Sequence, residues 1–179
     1  MLKIHRFILN NKGNNMATFK GNAVTLAGKE VKVGDKAPKV DLVAGDLSLK
    51  SVGGASGKYQ VINVVPSLDT GVCATQTRKF NEKAASLPNT EVFVVSLDLP
   101  FAQGRFCSTE GIKNVVALSD FRNKEFGNAY GVILADSPLQ GLLTRAVFVV
   151  NPNGEVVHKE IVSEITTEPN YDAALNAVK

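Results

Sequence analysis

The chain has 179 residues, 44% apolar and 21% charged, with a net charge of +3. That length holds one domain with a substantial core and is short for two, and the composition is that of an ordinary globular protein. So small a charge argues against nucleic acid or a polybasic membrane patch as partner, and no apolar run nears the roughly 20 residues that span a bilayer.

Residues 1–15, MLKIHRFILNNKGNN, differ in character from the rest of the chain: they carry Lys3, His5, Arg6 and Lys12 and precede a second methionine, Met16. Their apolar part is too short for a signal-peptide core, and no small-residue cleavage site comes after it. We expect a leader or an overlong start outside the fold, with a short targeting arm as the alternative. Residues 16–179 are expected to form a single domain, in the cytoplasm rather than the periplasm.

In chain order, Thr18–Lys20 and Val24–Leu26 flank Gly21-Asn22-Ala23, which predicts a small N-terminal hairpin. A loop through Gly34–Pro38 leads to a half-buried strand at Val40–Ala44, and the glycine-rich run Ser51–Lys58 reads as loop. Tyr59–Val65 has the near-continuous apolar character of a strand buried on both faces. From Cys73 the period changes: Cys73, Phe80, Ala84 and Leu87 fall on one helical stripe, which Pro88-Asn89 ends. Glu91–Leu97 is a second apolar strand, completing a right-handed parallel strand–helix–strand unit.

Pro100 opens a short helix through Phe101–Cys107, weakened by Gly104 at about 1 kcal/mol relative to alanine. Val115–Leu118 is a strand candidate and Lys124–Tyr130 a two-turn helix. Arg145–Val150 and Glu155–Val162 enclose Asn151-Pro152-Asn153-Gly154, the clearest hairpin in the chain. A last helix is expected to start at Glu168-Pro169. The fold class is therefore α/β: a central mixed sheet flanked by helices, with an N-terminal β-hairpin, in the order of a thioredoxin-like core.

The two cysteines, Cys73 and Cys107, are too few for a disulfide-rich scaffold and lack metal-ligand spacing. There is no Cys-x-x-Cys. Cys73 sits where a buried strand gives way to a helix N-terminus, where free N–H groups and the helix dipole favour a thiolate. Arg78 and Arg145 are the candidate cations, although Arg145 reads equally well as a solvated strand-edge residue. Thr70 suits either a hydrogen bond to a substrate oxygen or a helix N-cap. Pro66 either shapes the site or only ends a strand. A cysteine hydrolase would need a base, and His158, in a strand pattern, is a weak one.

Pro66, Thr70 and Cys73, at that spacing, resemble the peroxidatic-cysteine signature of the peroxiredoxins. Pro66–Cys73, Asp98–Gln103, Arg105-Phe106-Cys107, Glu164–Pro169 and the Phe19–Asn22 hairpin together look like the atypical two-cysteine subgroup, the bacterial thiol peroxidases. The resemblance covers Ala17 to Lys179. It implies a peroxidatic Cys73, which becomes a sulfenic acid, and a resolving Cys107, which closes an intrachain disulfide. It further implies that Thr70 and Arg145 orient the peroxide and that Pro66 shields the sulfur. Hydrogen peroxide and alkyl or lipid hydroperoxides would be substrates and thioredoxin the reductant. A homodimer is expected, with no metal or organic cofactor.

Overall fold

A computed structural model describes residues 16–179, so the expected leader lies outside the described residues. The chain begins with a hairpin, β1 (Ala17–Phe19) and β2 (Asn22–Val24), in register Ala17 to Val24. Its turn is Lys20-Gly21 rather than Gly21–Ala23. Both turn residues have positive φ, 50° and 82°, the tight reversal whose twist suits a two-residue hairpin. A short strand β3 (Leu26–Ala27) follows, and then the antiparallel pair β4 (Val40–Ala44) and β5 (Leu49–Val52). The expected loop at Ser51–Lys58 therefore starts later, because Ser51 and Val52 pair with Asp41 and Val40.

The middle of the chain is β6 (Tyr59–Val64), α1 (Gly71–Ala84), β7 (Thr90–Ser96), α2 (Pro100–Glu110), β8 (Val116–Ser119) and α3 (Glu125–Tyr130). Helix α2 runs three residues beyond the expected end, to Gly111 in the left-handed conformation at φ 66°, where glycine carries no Cβ penalty. Cys107 therefore lies in the last turn of α2. The chain closes with β9 (Ile133–Leu134), β10 (Ala146–Val150), β11 (Val156–Ile161) and α4 (Tyr171–Asn176). Helix α4 starts later than Glu168-Pro169 because Asn170 caps it, its side chain accepting from the Ala173 N–H at 3.0 Å.

Seven strands form one mixed sheet in the order β11-β10-β6-β7-β8-β4-β5, with β6, β7 and β8 parallel. Successive side chains alternate between its faces. Ile62, Val64, Phe93, Val95, Phe148 and Val150 pack with Phe126 and Tyr130 of α3. Val61, Val65, Val92, Val94, Val147 and Val149 pack on the other face with Phe80 of α1, Phe106 of α2 and Ala174 of α4. Cys73 and Cys107 both belong to this second layer. Helices cover both faces, as the alternation of strands and helices predicts. Among the described residues no helix is long and apolar enough to cross a membrane.

Candidate active site

Strand β6 ends at Val64, Val65 makes one more ladder bond to the Val95 carbonyl, and the buried Pro66 turns the chain out of the sheet. The loop Ser67–Thr70 then delivers Thr70 as the N-cap of α1. Thr70 is extended, at φ −116° and ψ 147°, and its Oγ1 accepts from the Cys73 N–H at 3.4 Å. The same hydroxyl donates to the Ser67 carbonyl at 3.2 Å. Thr70 is thus a cap, and its exposure leaves the hydroxyl facing solvent as well.

Cys73 is the third residue of α1, and its side chain is fully buried. The first turn of α1 holds no acidic residue, so nothing there offsets the positive end of the helix dipole. Arg145, just before β10, is 2% exposed and donates in three directions. Its Nε reaches the Ile165 carbonyl at 2.8 Å, Nη1 reaches Gln76 Oε1 at 2.6 Å, and Nη2 reaches Cys73 Sγ at 3.3 Å. A buried guanidinium aimed at the sulfur favours negative charge there.

Gln76 lies three residues after Cys73, on the same side of α1. Its Nε2 donates to Asn63 Oδ1 of β6, which turns Oε1 toward Arg145. Glu168 stands nearby. A hydrogen bond from Lys79, then one from the Tyr171 hydroxyl, hold its carboxyl below the usual range, with a smaller contribution from Arg145.

The other candidate cation is elsewhere. Arg78 pairs with Glu110 at the end of α2, at 2.7 Å, and with Thr75. His158 makes no hydrogen bond to Cys73. It sits opposite Val149 in the β10–β11 ladder, and burial pushes its pKa down. Cys107 is half-buried, and desolvation pushes its thiol up from the ordinary value. Both cysteines are free thiols, packed in one apolar cluster with Leu68 and Phe106. Of the residues singled out from sequence, Thr70, Cys73 and Arg145 therefore converge at the start of α1, Pro66 lies buried at the head of the loop that leads there, and Cys107 faces the same layer from α2. Gln76, Asn63 and the Ile165 carbonyl complete the arginine's cage and were not foreseen.

A family model described as Redoxin matches residues 32–175. A thiol peroxidase of Halalkalibacterium halodurans is 54% identical over 162 residues, covering 90% of this chain and 96% of that one. A thiol peroxidase of Campylobacter jejuni is 57% identical over 155 residues, 87% of each chain. The crystal structure of a peroxiredoxin-like protein from Aquifex aeolicus superposes with a TM-score of 0.88 at 51% identity, covering 92% of this chain and 95% of that one. The fold is thioredoxin-like, and the chain belongs to the redoxin family. Within that family it is a thiol-dependent peroxidase of the peroxiredoxin type.

Proposed function

We propose that the enzyme reduces hydrogen peroxide and organic hydroperoxides, alkyl and lipid, through a Cys73 sulfenic acid and a Cys73–Cys107 intrachain disulfide that thioredoxin recycles. The observation that carries this reading is the buried Arg145 N–H on Cys73 Sγ, 3.3 Å away, in a first helical turn that holds no acidic residue. The Cys73 thiolate attacks one peroxide oxygen. The S–O bond forms as the O–O bond breaks, the sulfur keeps the attacked oxygen with its hydrogen as the sulfenic acid, and the departing alkoxide or hydroxide takes up the proton that the Cys73 thiol gave up on forming the thiolate. Charge moves from sulfur to oxygen in that step, and a guanidinium beside both stabilises it without reorganising.

Thr70 supplies the second polar contact. Its hydroxyl exchanges the Ser67 carbonyl for a peroxide oxygen, while Pro66 keeps water from the sulfur on the sheet side. Since Cys73 is fully buried, peroxide enters by displacing the exposed edge at Thr70 and Gly71. Cys107 Sγ then attacks the Cys73 sulfur. The S–S bond forms, the S–O bond breaks, and the oxygen leaves as water with the proton of the Cys107 thiol. The thioredoxin dithiol returns two electrons. We assign these steps to residues 16–179 acting as one domain, in a cytoplasmic homodimer.

The test is peroxide-dependent NADPH oxidation with thioredoxin, its reductase and cumene hydroperoxide. Wild-type enzyme turns over, Cys73→Ser does not, and Cys107→Ser reduces one equivalent without cycling. Normal cycling by Cys107→Ser would overturn the resolving role. No peroxide-dependent consumption by the wild type would overturn the whole reading.

A further inference from the structure

Asp98 lies between β7 and α2, outside the cage around Cys73, and its carboxylate ties three segments together. On one side it accepts from the Ser67 hydroxyl at 2.7 Å and the Leu68 N–H at 2.8 Å, both in the loop that leads to Cys73. On the other it accepts from the Ser96 hydroxyl at 2.7 Å. Ser96 Oγ in turn accepts from Gln103 Nε2 at 3.0 Å, a fully buried residue in α2, the helix that carries Cys107. One half-buried carboxylate thus joins the peroxidatic loop to the root of the resolving helix. A groove of about 260 Å³, lined by Ser67, Leu68, Asp98, Arg105 and Phe106, runs along this seam.

Leu68 gives the joint its consequence. It is 3% exposed and packs in the same apolar cluster as Cys73, Phe106 and Cys107. Its N–H is held only while the Asp98 carboxylate stays in place. A buried N–H that loses a charged acceptor is costly, so releasing the carboxylate favours withdrawal of the loop. Cys73 and Cys107 are free thiols carried by two different ordered helices, α1 and α2, and a disulfide needs Cα atoms within about 7 Å; the joint at Asp98 lies between the two segments that would carry them together.

We propose that Asp98 is a positioning residue for the resolving step: a latch that holds the Cys73 loop against α2 and so sets how often the pair opens to form the disulfide. This rests on the two-cysteine reading above. The latch acts on one step and spares the other. If the closed form is about 99% populated, a tenfold gain in the open form still leaves it about 91% populated. The peroxide step, which needs the closed form, then barely changes, while disulfide closure speeds up about tenfold. Oxidation of the sulfenic acid by a second peroxide, giving a sulfinic acid, competes with closure. A looser latch should therefore make Cys73 more resistant to overoxidation.

The experiment follows both steps by rapid quench, alkylation and intact mass, in wild type, Asp98→Ala, Asp98→Asn and Ser67→Ala. Sulfenic acid formation is read on a Cys107→Ser background and disulfide closure with both cysteines present. Asp98→Ala should close the disulfide about tenfold faster and lower the sulfinic fraction at a fixed peroxide dose, with the peroxide step within about twofold. Asp98→Asn, which keeps one acceptor oxygen, should lie between. Ser67→Ala, which removes one bond to the carboxylate and the weaker one from the Asp69 N–H while leaving the carboxylate itself, gives the same direction if Asp98→Ala does not fold. Unchanged closure in all three variants, or a peroxide step that falls in parallel, overturns the latch while leaving the two-cysteine reading standing. A wild type that never forms the disulfide overturns both.

Discussion

Arg145 Nη2 stands 3.3 Å from Cys73 Sγ, and both residues are buried. The contact is narrow in origin. Each of the arginine's nitrogens has one acceptor: the Ile165 carbonyl, Gln76 Oε1 and the sulfur. A planar fork fills three directions at once, and an ammonium on a flexible stem does not.

Arg145→Lys is therefore expected to keep the charge and lose the geometry. The second-order rate of peroxide reduction should fall about 10²-fold or more, the usual scale for removing one donor from a developing anion. Competition kinetics against a second peroxidase measures it. A loss smaller than threefold would mean that charge alone suffices and that the fork is incidental.

Thr70 caps α1 and also offers its hydroxyl to the site, and these roles separate by substitution. Aspartate is a good N-cap but only accepts hydrogen bonds when ionised, and it brings negative charge beside the sulfur. Thr70→Asp should melt within a few degrees of wild type while peroxidase activity drops about 10²-fold, a scale set by the lost donor. Thr70→Val should lose both activity and about 1 kcal/mol of stability. Retained activity in Thr70→Asp would reduce Thr70 to a cap.

The parallel core was legible because β6 and β7 are apolar at nearly consecutive positions (Val61-Ile62 and Val64 in one, Val92–Val95 in the other), the pattern of short strands covered on both faces. The site was legible in part. Arg145 was ambiguous as a single residue, yet its parity was readable: it shares the odd positions of Val147 and Val149, whose side chains face α1. Gln76 also left a trace, three residues after Cys73 and on the same side of the helix. Asp98 and Glu164 each open a segment that carries the family resemblance, but nothing in the sequence shows what their carboxylates bind. A carboxylate in a loop looks solvated, and their partners lie 30 and up to 146 residues away in the chain. The start of α4 is hard to read because a proline admissible in a first turn competes with an asparagine that caps, and the cap won.

Cys107 provides a pH test of its own. Burial raises its pKa, so the folded state favours the thiol. That preference stabilises the α2 end below the ordinary thiol value and is lost as pH rises through the raised one. In Cys73→Ser, alkylation of Cys107 by iodoacetamide should keep accelerating past pH 8.5, about the value for a free cysteine. A plateau at or below that pH would show that desolvation does not govern this thiol. The Arg78–Glu110 pair and the Asn81 side chain, which accepts from Lys113 N–H and Asn114 N–H, hold the same helix end. Asn81→Ala should therefore raise the alkylation rate at every pH.

Glu164 anchors the strap that supplies Ile165 to Arg145. The Gly21 N–H and the Thr18 hydroxyl, with smaller help from Thr166, hold its carboxyl down to about 2. A folded-state pKa below the unfolded one gives stability that is present above the ordinary value of 4.5 and is lost as pH falls through about 2. Glu164→Gln offers one neutral acceptor oxygen in place of the carboxylate. Its melting temperature should fall below that of wild type at pH 7, and the gap should narrow steadily from pH 4.5 to pH 2. Because the strap fixes the Ile165 carbonyl, the variant should also reduce peroxide more slowly at pH 7, where the carboxylate is fully charged in the wild type. A gap in melting temperature that stays constant down to pH 2 would assign the loss to packing and remove Glu164 from the support of the arginine.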